Sequence, residues 1–175
     1  MLLIEEGEKE KKTAIFSISG CYNKDWISLT NEPQKLNTWT CLLCKQIANN
    51  AVELHCDEHE NFEQIFLIGE ECLRQYLQQS NRKCPVGQHD HCEFFKSKTA
   101  RQSVSELLVM CPRQYKSNED LQLSERTKTR EDEKSICRFK GEIKEVQHHL
   151  ETSCQLLASR QNNSLDIQNR AISKN

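Results

Sequence analysis

Ten cysteines and six histidines stand in 175 residues, and nine of those cysteines fall between Cys41 and Cys154. Their intervals are those of metal ligands: Cys41-Leu-Leu-Cys44, Cys56-Asp-Glu-His59, Cys72, Cys84, a His89-Asp-His91-Cys92 cluster, then Cys111, Cys137, His149 and Cys154. Two donors separated by two residues on one tight turn face the same ion, and four donors complete the tetrahedral shell of zinc. A shell filled by protein leaves no position for water or substrate, so such ions are structural rather than catalytic. Histidines interspersed among the cysteines weigh against a disulfide framework. Cys21 stands apart from the run and reads as a free thiol.

The elements that must position these donors are short. Only 36% of residues are hydrophobic while 29% are charged, a lean supply for a core, and small modules short of core are held by metal or disulfides. The expected class is small α+β, with zinc-stabilised modules, short helices and little sheet. Residues 1–37 form an unassigned N-terminal segment with a modest β-like stretch at Thr13–Ser19. A metal module spans 38–95, and Leu73, Tyr76 and Leu77 mark one face of a helix between Cys72 and Cys84. A second module spans 96–155. It opens with a connecting helix over about 99–107 and a short strand, Leu108 to Pro112, that ends at a metal knuckle. A helix over 141–150 buries Ile143, Val146 and Leu150 and carries His149 at its end, with His148 as the competing donor. Within this module, 116–135 is a polar insertion too poor in apolar residues to offset its ordering entropy, and 156–175 is a polar tail.

A net charge of −2 argues against nucleic-acid binding, which asks first for a basic surface. Met1-Leu-Leu-Ile4 is followed at once by Glu5 and Glu6, so no secretory signal is read. No apolar run approaches the ~18 residues of a membrane span. Free thiols imply a reducing, intracellular compartment, with cytoplasm preferred to nucleus. There is no nucleophile with a base, no phosphate-binding loop and no His-Glu-x-x-His helix.

The order of a knuckle, a Cys/His pair, a cysteine opening a helix and then Cys84-Pro85 resembles a RING finger over about 38–92. In that family two zinc ions are cross-braced: the first and third ligand pairs hold one ion, the second and fourth the other. The resemblance implies one site of Cys56, His59, Cys84 and either Cys92 or a neighbouring histidine, His89 or His91. It implies another of Cys41, Cys44 and Cys72 with an open fourth place, for which Glu70, Glu71 and His55 are candidates. The family carries a ligand three residues before the helix-opening cysteine, where this chain has Gly69. It closes on Cys-x-x-Cys, where this chain has Gly87. A serial site of Cys41, Cys44, Cys56 and His59 is the rival arrangement.

Val109-Met-Cys111-Pro112, Cys137-Arg-Phe-Lys-Gly141 and His149-Leu-x-x-x-Cys154 look like a TRAF-type zinc finger, a module similar also to those of the Siah family. In those families the first two cysteines lie close together, and here the insertion parts Cys111 from Cys137. A RING-like block followed by a TRAF-type finger is the arrangement of TRAF-family proteins, whose coiled coil and β-sandwich are not visible in this sequence. The resemblance implies two or three structural zinc ions. It also implies a RING-type ubiquitin-protein ligase that docks a ubiquitin-conjugating enzyme through Leu43, Tyr76 and Pro85 and binds a substrate or receptor protein. The alternatives are a non-catalytic degenerate adaptor and, behind it, a nucleic-acid-binding zinc protein.

Overall fold

The segment without a motif supplies much of the core. The computed structural model describes residues 15–59, 65–115 and 137–156. Asn23 caps helix α1 (Lys24–Ser28), its side chain accepting from Trp26 N at 2.8 Å. A helix of five residues cannot persist alone, and this one is held by burying Trp26 and Ile27. Helix α2 (Pro33–Thr38) starts on a proline, whose missing N–H costs nothing at that position, and buries Leu36. Over 15–19 the chain bends and forms no strand, so the described part of the expected β-like stretch is irregular. An isolated bridge pairs Tyr22 with Ile47 beside the first knuckle, and Asn49 Nδ2 donates to Ile18 O and Gly20 O at 3.0 and 3.1 Å.

Three strands follow in the order β2-β1-β3: β1 (Val52–His55), β2 (Leu67–Ile68) and β3 (Glu93–Lys96), all antiparallel. Helix α3 (Glu70–Gln79) begins on Gly69, with Glu70 and Glu71 in its first turn, where negative charge complements the helix dipole. Ser97 caps helix α4 (Lys98–Ser105) by accepting from Ala100 N. Strands β4 (Leu108–Met110) and β5 (Lys140–Glu142) pair antiparallel, joining the two sides of the 116–135 insertion. The insertion and the tail beyond 156 lie outside the described residues. Helix α5 (Ile143–His148) starts two residues later than expected, because Gly141 and Glu142 pair with Val109 and Leu108. A capping box between Glu142 and Glu145 sets its start, and a π-helical turn, His149–Ser153, continues it.

Two large apolar clusters result, beside a smaller one in which Phe139, Leu150 and Leu156 pack on Cys111, Cys137 and Cys154. One gathers Val52, Leu67, Ile68, Leu73 and Ala100 around Cys21 and Cys41. The other joins Tyr22, Trp26, Ile27 and Leu36 to Val104, Val109, Ile143 and Val146. Residues 15–39 therefore wedge between the first metal region and the C-terminal finger. Hydrogen bonds reinforce that wedge: Trp26 Nε1 donates to Met110 O at 3.1 Å, and Asn31 Nδ2 to Leu108 O at 2.7 Å. Arg101 ties α4 to the loop before β1, donating to the carbonyls of Asn50 and Ala51 at 2.8 and 3.0 Å.

Candidate metal centres

Three groups of four donors converge, each with its ligand atoms within 4.8 Å of one another. They are Cys21, Cys41, Cys44 and Cys72; Cys56, His59, Cys84 and His89; and Cys111, Cys137, His149 and Cys154. All ten cysteines are free thiols. Their geometry suits a tetrahedral ion. Zn–S bonds of ~2.3 Å and Zn–N bonds of ~2.0–2.1 Å place two sulfurs about 3.8 Å apart, sulfur and nitrogen about 3.5 Å, and two nitrogens about 3.3 Å. Cys21 and Cys72 sulfurs lie 3.7 Å apart, as do those of Cys111 and Cys154. Cys137 Sγ is 3.3 Å from His149 Nε2, Cys56 Sγ is 3.0 Å from His89 Nε2, and the Nε2 atoms of His59 and His89 are 3.3 Å apart. Thiolate and imidazole donors in fours suit zinc.

Two histidines are oriented for this role. The Nδ1–H of His89 is placed to donate to Asp90 O at 2.7 Å, and that of His149 faces Ser153 Oγ at 3.2 Å. Each ring then turns the lone pair of Nε2 toward the sulfurs, the outer-shell arrangement by which proteins aim a ligating imidazole. Burial, then the Arg113 charge, lowers the His149 pKa, keeping the ring neutral as ligation demands. Phe139 stacks on its face, with centroids 4.0 Å apart.

The thiols titrate as crowded, desolvated groups. Burial, then the charges of Cys41 and Cys44, pushes Cys72 up to about 12. Burial does the same for Cys111, also to about 12, against a lowering hydrogen bond from the Arg113 backbone. Cys21 is raised far above its ordinary value, first by its hydrogen bond with Cys41. Cys41, the acceptor of that bond, is driven down, and Gly69 N–H donates to it as well, at 3.3 Å. Without a cation Cys41 is the thiolate of its group while Cys21 and Cys72 keep their protons; a bound cation would displace the remaining ones.

Cys21 is the donor that sequence reasoning missed. The sequence alone reads it as a lone thiol, yet its sulfur stands in the first group and takes the fourth place for which Glu70, Glu71 and His55 are the expected candidates. Glu70 instead reaches Arg101, and His55 is exposed against Phe95. Gly69 explains the replacement: a Cβ there would meet Cys21 Sγ at 2.3 Å. Gly87 repeats the device, since its Cβ would meet His89 Cδ2 at 2.8 Å and His59 Nε2 at 2.9 Å. At both positions where the RING pattern places a ligand, the chain has a glycine, and the substitute donor occupies the space that a side chain would need. The signal was present in the sequence as one cysteine left over and one place left open.

The other expectations sort as follows. Cys41 and Cys44 separate from Cys56 and His59 into different groups, so the serial arrangement does not form. His89, not His91 or Cys92, joins the second group. The chain turns at His91, with φ 67°, and enters β3 at Glu93, which leaves half-buried Cys92 outside the four but close enough for its thiol to meet that of Cys84. The third group contains the four donors expected of it, with buried His149 chosen over exposed His148. Leu43, Tyr76 and Pro85 are each half-buried, and Gln88 Nε2 donates to the Tyr76 hydroxyl at 3.0 Å. No helix among the described residues is long and apolar enough to cross a membrane. No protein-family model matches the chain, and no curated protein matches it either.

Proposed function

We propose that the chain is a zinc-held protein-interaction module of the RING and TRAF-type ubiquitin-ligase kind, binding three structural zinc ions. The ions would be held by the three groups of four, and their chemistry is cohesion: closed tetrahedral shells hold loops in place and leave no reactive position. One observation carries this reading. The first two groups alternate along the chain, Cys41 and Cys44 in one, Cys56 and His59 in the other, Cys72 in the first, Cys84 and His89 in the second. Ligands that alternate in this way brace two ions against each other, as a RING does, and a third group follows in the place of a TRAF-type finger.

On this reading Leu43, Tyr76 and Pro85 offer a small apolar surface to a ubiquitin-conjugating enzyme, the anchor type that dominates interfaces. A substrate or receptor protein binds elsewhere. The protein adds no covalent chemistry; it holds the charged enzyme in a productive geometry. The test is autoubiquitination by the zinc-loaded chain with a panel of conjugating enzymes. Chains are expected with at least one enzyme and lost in a folded Tyr76→Ala variant. No chains from a protein carrying three zincs by native mass spectrometry would exclude ligase activity.

One feature favours a second reading, a non-catalytic adaptor. Many active members of the family carry a basic residue just after the last ligand; here Asp90 follows His89, and Gln88 and Glu93 stand nearby, none of them basic. The adaptor binds its partners through the same fingers and yields no ubiquitin chains in that assay.

A further inference from the structure

A groove of about 920 Å³ is lined by residues of the first knuckle, of strands β1 and β2 and of the start of helix α4. Cys41 of the first donor group lies in its lining, and none of the proposed docking residues does. Its apolar wall is made by half-buried Trp39, Leu42 and Phe66, buried Leu67, and Ile65, which is 65% exposed. Small-molecule sites enclose some 70–90% of their ligand. A groove whose apolar wall includes the 65% exposed Ile65 leaves its occupant partly in solvent, and suits a segment of a larger partner instead.

The charge in the groove gives the occupant its sign. Lys24 Nζ donates to Asn37 Oδ1 at 2.9 Å and to Thr40 Oγ1 at 3.2 Å, and all three residues line the groove. Thr40 Oγ1 spends its own proton on Leu36 O at 2.9 Å, so it accepts from the lysine. Two of the three ammonium protons are thereby fixed, leaving the third to donate. Lys45, exposed and in a left-handed conformation with φ 61°, lines the same groove beside the knuckle. Neither lysine pairs with a carboxylate among the described residues. Among the described residues the one acid in the lining is Glu53, whose carboxylate is 3.3 Å from His55 Nε2.

We propose that this groove binds an acidic-apolar peptide segment of a partner protein, with a carboxylate on Lys24 and Lys45 and neighbouring apolar side chains against Trp39, Leu42 and Phe66. A carboxylate meets a positioned ammonium there, where charge-assisted hydrogen bonds are strong. The apolar side chains supply the burial that a charge pair at a surface lacks.

The experiment uses the full zinc-loaded chain and a pooled library of fluorescein-labelled octapeptides. Each peptide carries two glutamates followed by two apolar residues, and a twin library carries lysines in place of the glutamates. Acidic members are captured and bind in a fluorescence-polarisation titration that salt weakens, while the lysine twins do not bind. Lys24→Gln weakens binding about tenfold, the scale of one charged hydrogen bond. Lys45→Asn, which tolerates the left-handed backbone, gives a smaller loss and serves as the arm that does not disturb Lys24's packing. Zinc content and circular dichroism stay those of the parent in both variants. Failure to capture any acidic peptide, equal binding of the lysine twins, or unchanged affinity in both variants overturns the proposal. So does tighter binding of a single-stranded oligonucleotide than of the best peptide. None of these outcomes bears on ubiquitin-chain formation, which is read separately.

Discussion

Exchanging the donor between positions 21 and 69 separates metal ligation from ordinary packing. In the structure Cys21 Sγ fills the space of an absent side chain at Gly69, 2.3 Å from where its Cβ would stand, whereas ordinary contact begins at 3.4 Å. Gly69→Ala therefore has to drive the sulfur back by about an ångström, and a Zn–S bond of ~2.3 Å does not survive that displacement. Cys21→Ala removes the donor outright. Structural zinc contributes about 10–16 kcal/mol to small fingers, so one donor of four accounts for about 2.5–4 kcal/mol, or about two to three decades in affinity. Each single variant should then lose the first ion to a chromophoric chelator at about 100-fold lower competitor strength, while the other two ions stay. The double variant Cys21→Ala/Gly69→Cys supplies a thiol from the far side and relieves the clash, so it should bind three ions again. Native mass spectrometry counts the ions directly. Three ions held with parental affinity by Gly69→Ala, or by Cys21→Ala, would falsify the assignment of Cys21 and the geometric account of Gly69 together.

The protonated thiols make pH a second probe, with opposite signs for the two metal states. Cys72 and Cys111, held up to about 12 by burial, keep their protons at neutral pH in the metal-free chain. Zinc must displace these protons, so binding in weakly buffered solution releases acid and apparent affinity falls as pH falls. For the metal-free fold the sign reverses: a raised thiol pKa contributes stability below the ordinary thiol value, and that contribution is lost as pH rises toward about 12. Urea midpoints of the apo chain should decline on the alkaline side and those of the zinc form on the acid side. Trp26→Ala should cost about 3–5 kcal/mol by removing a fully buried indole, and it should weaken protease protection in both metal regions rather than one. Arg101→Ala should cost about 1.5–3 kcal/mol by releasing the carbonyls of Asn50 and Ala51, seen as a lower urea midpoint with three ions still bound.

The parts legible in the sequence were those whose information is local. The third group was readable because His149 and Cys154 share one short helical turn and Cys111 closes a strand marked by Val109 and Pro112. Helix α3 was readable from Leu73, Tyr76 and Leu77. Cys21 was not, because 19 residues and two helices separate it from Cys41 and nothing in local spacing ties it to a knuckle. His89 and Cys92 could not be told apart by interval alone; the turn at His91 decides between them. The helices of residues 24–38 went unseen because five or six residues give no periodicity to count. Their partners, Val104, Val109, Ile143 and Val146, lie far along the chain. Trp26 and Leu36 were the available hint, two large apolar residues in a segment with no stated use for them.

That wedge has a consequence for how ligands of this protein act on one another. Cys21 belongs to the first group of donors, and its neighbour Tyr22, with Trp26, forms a wall of the C-terminal region's interior. An ion held by the first group would fix Cys21, and with it the segment on which the far finger packs; any influence that this has on the far group's affinity would be returned in equal measure. A fragment beginning at residue 38 would forfeit a donor and a hydrophobic wall at once, so both halves depend on the same short segment.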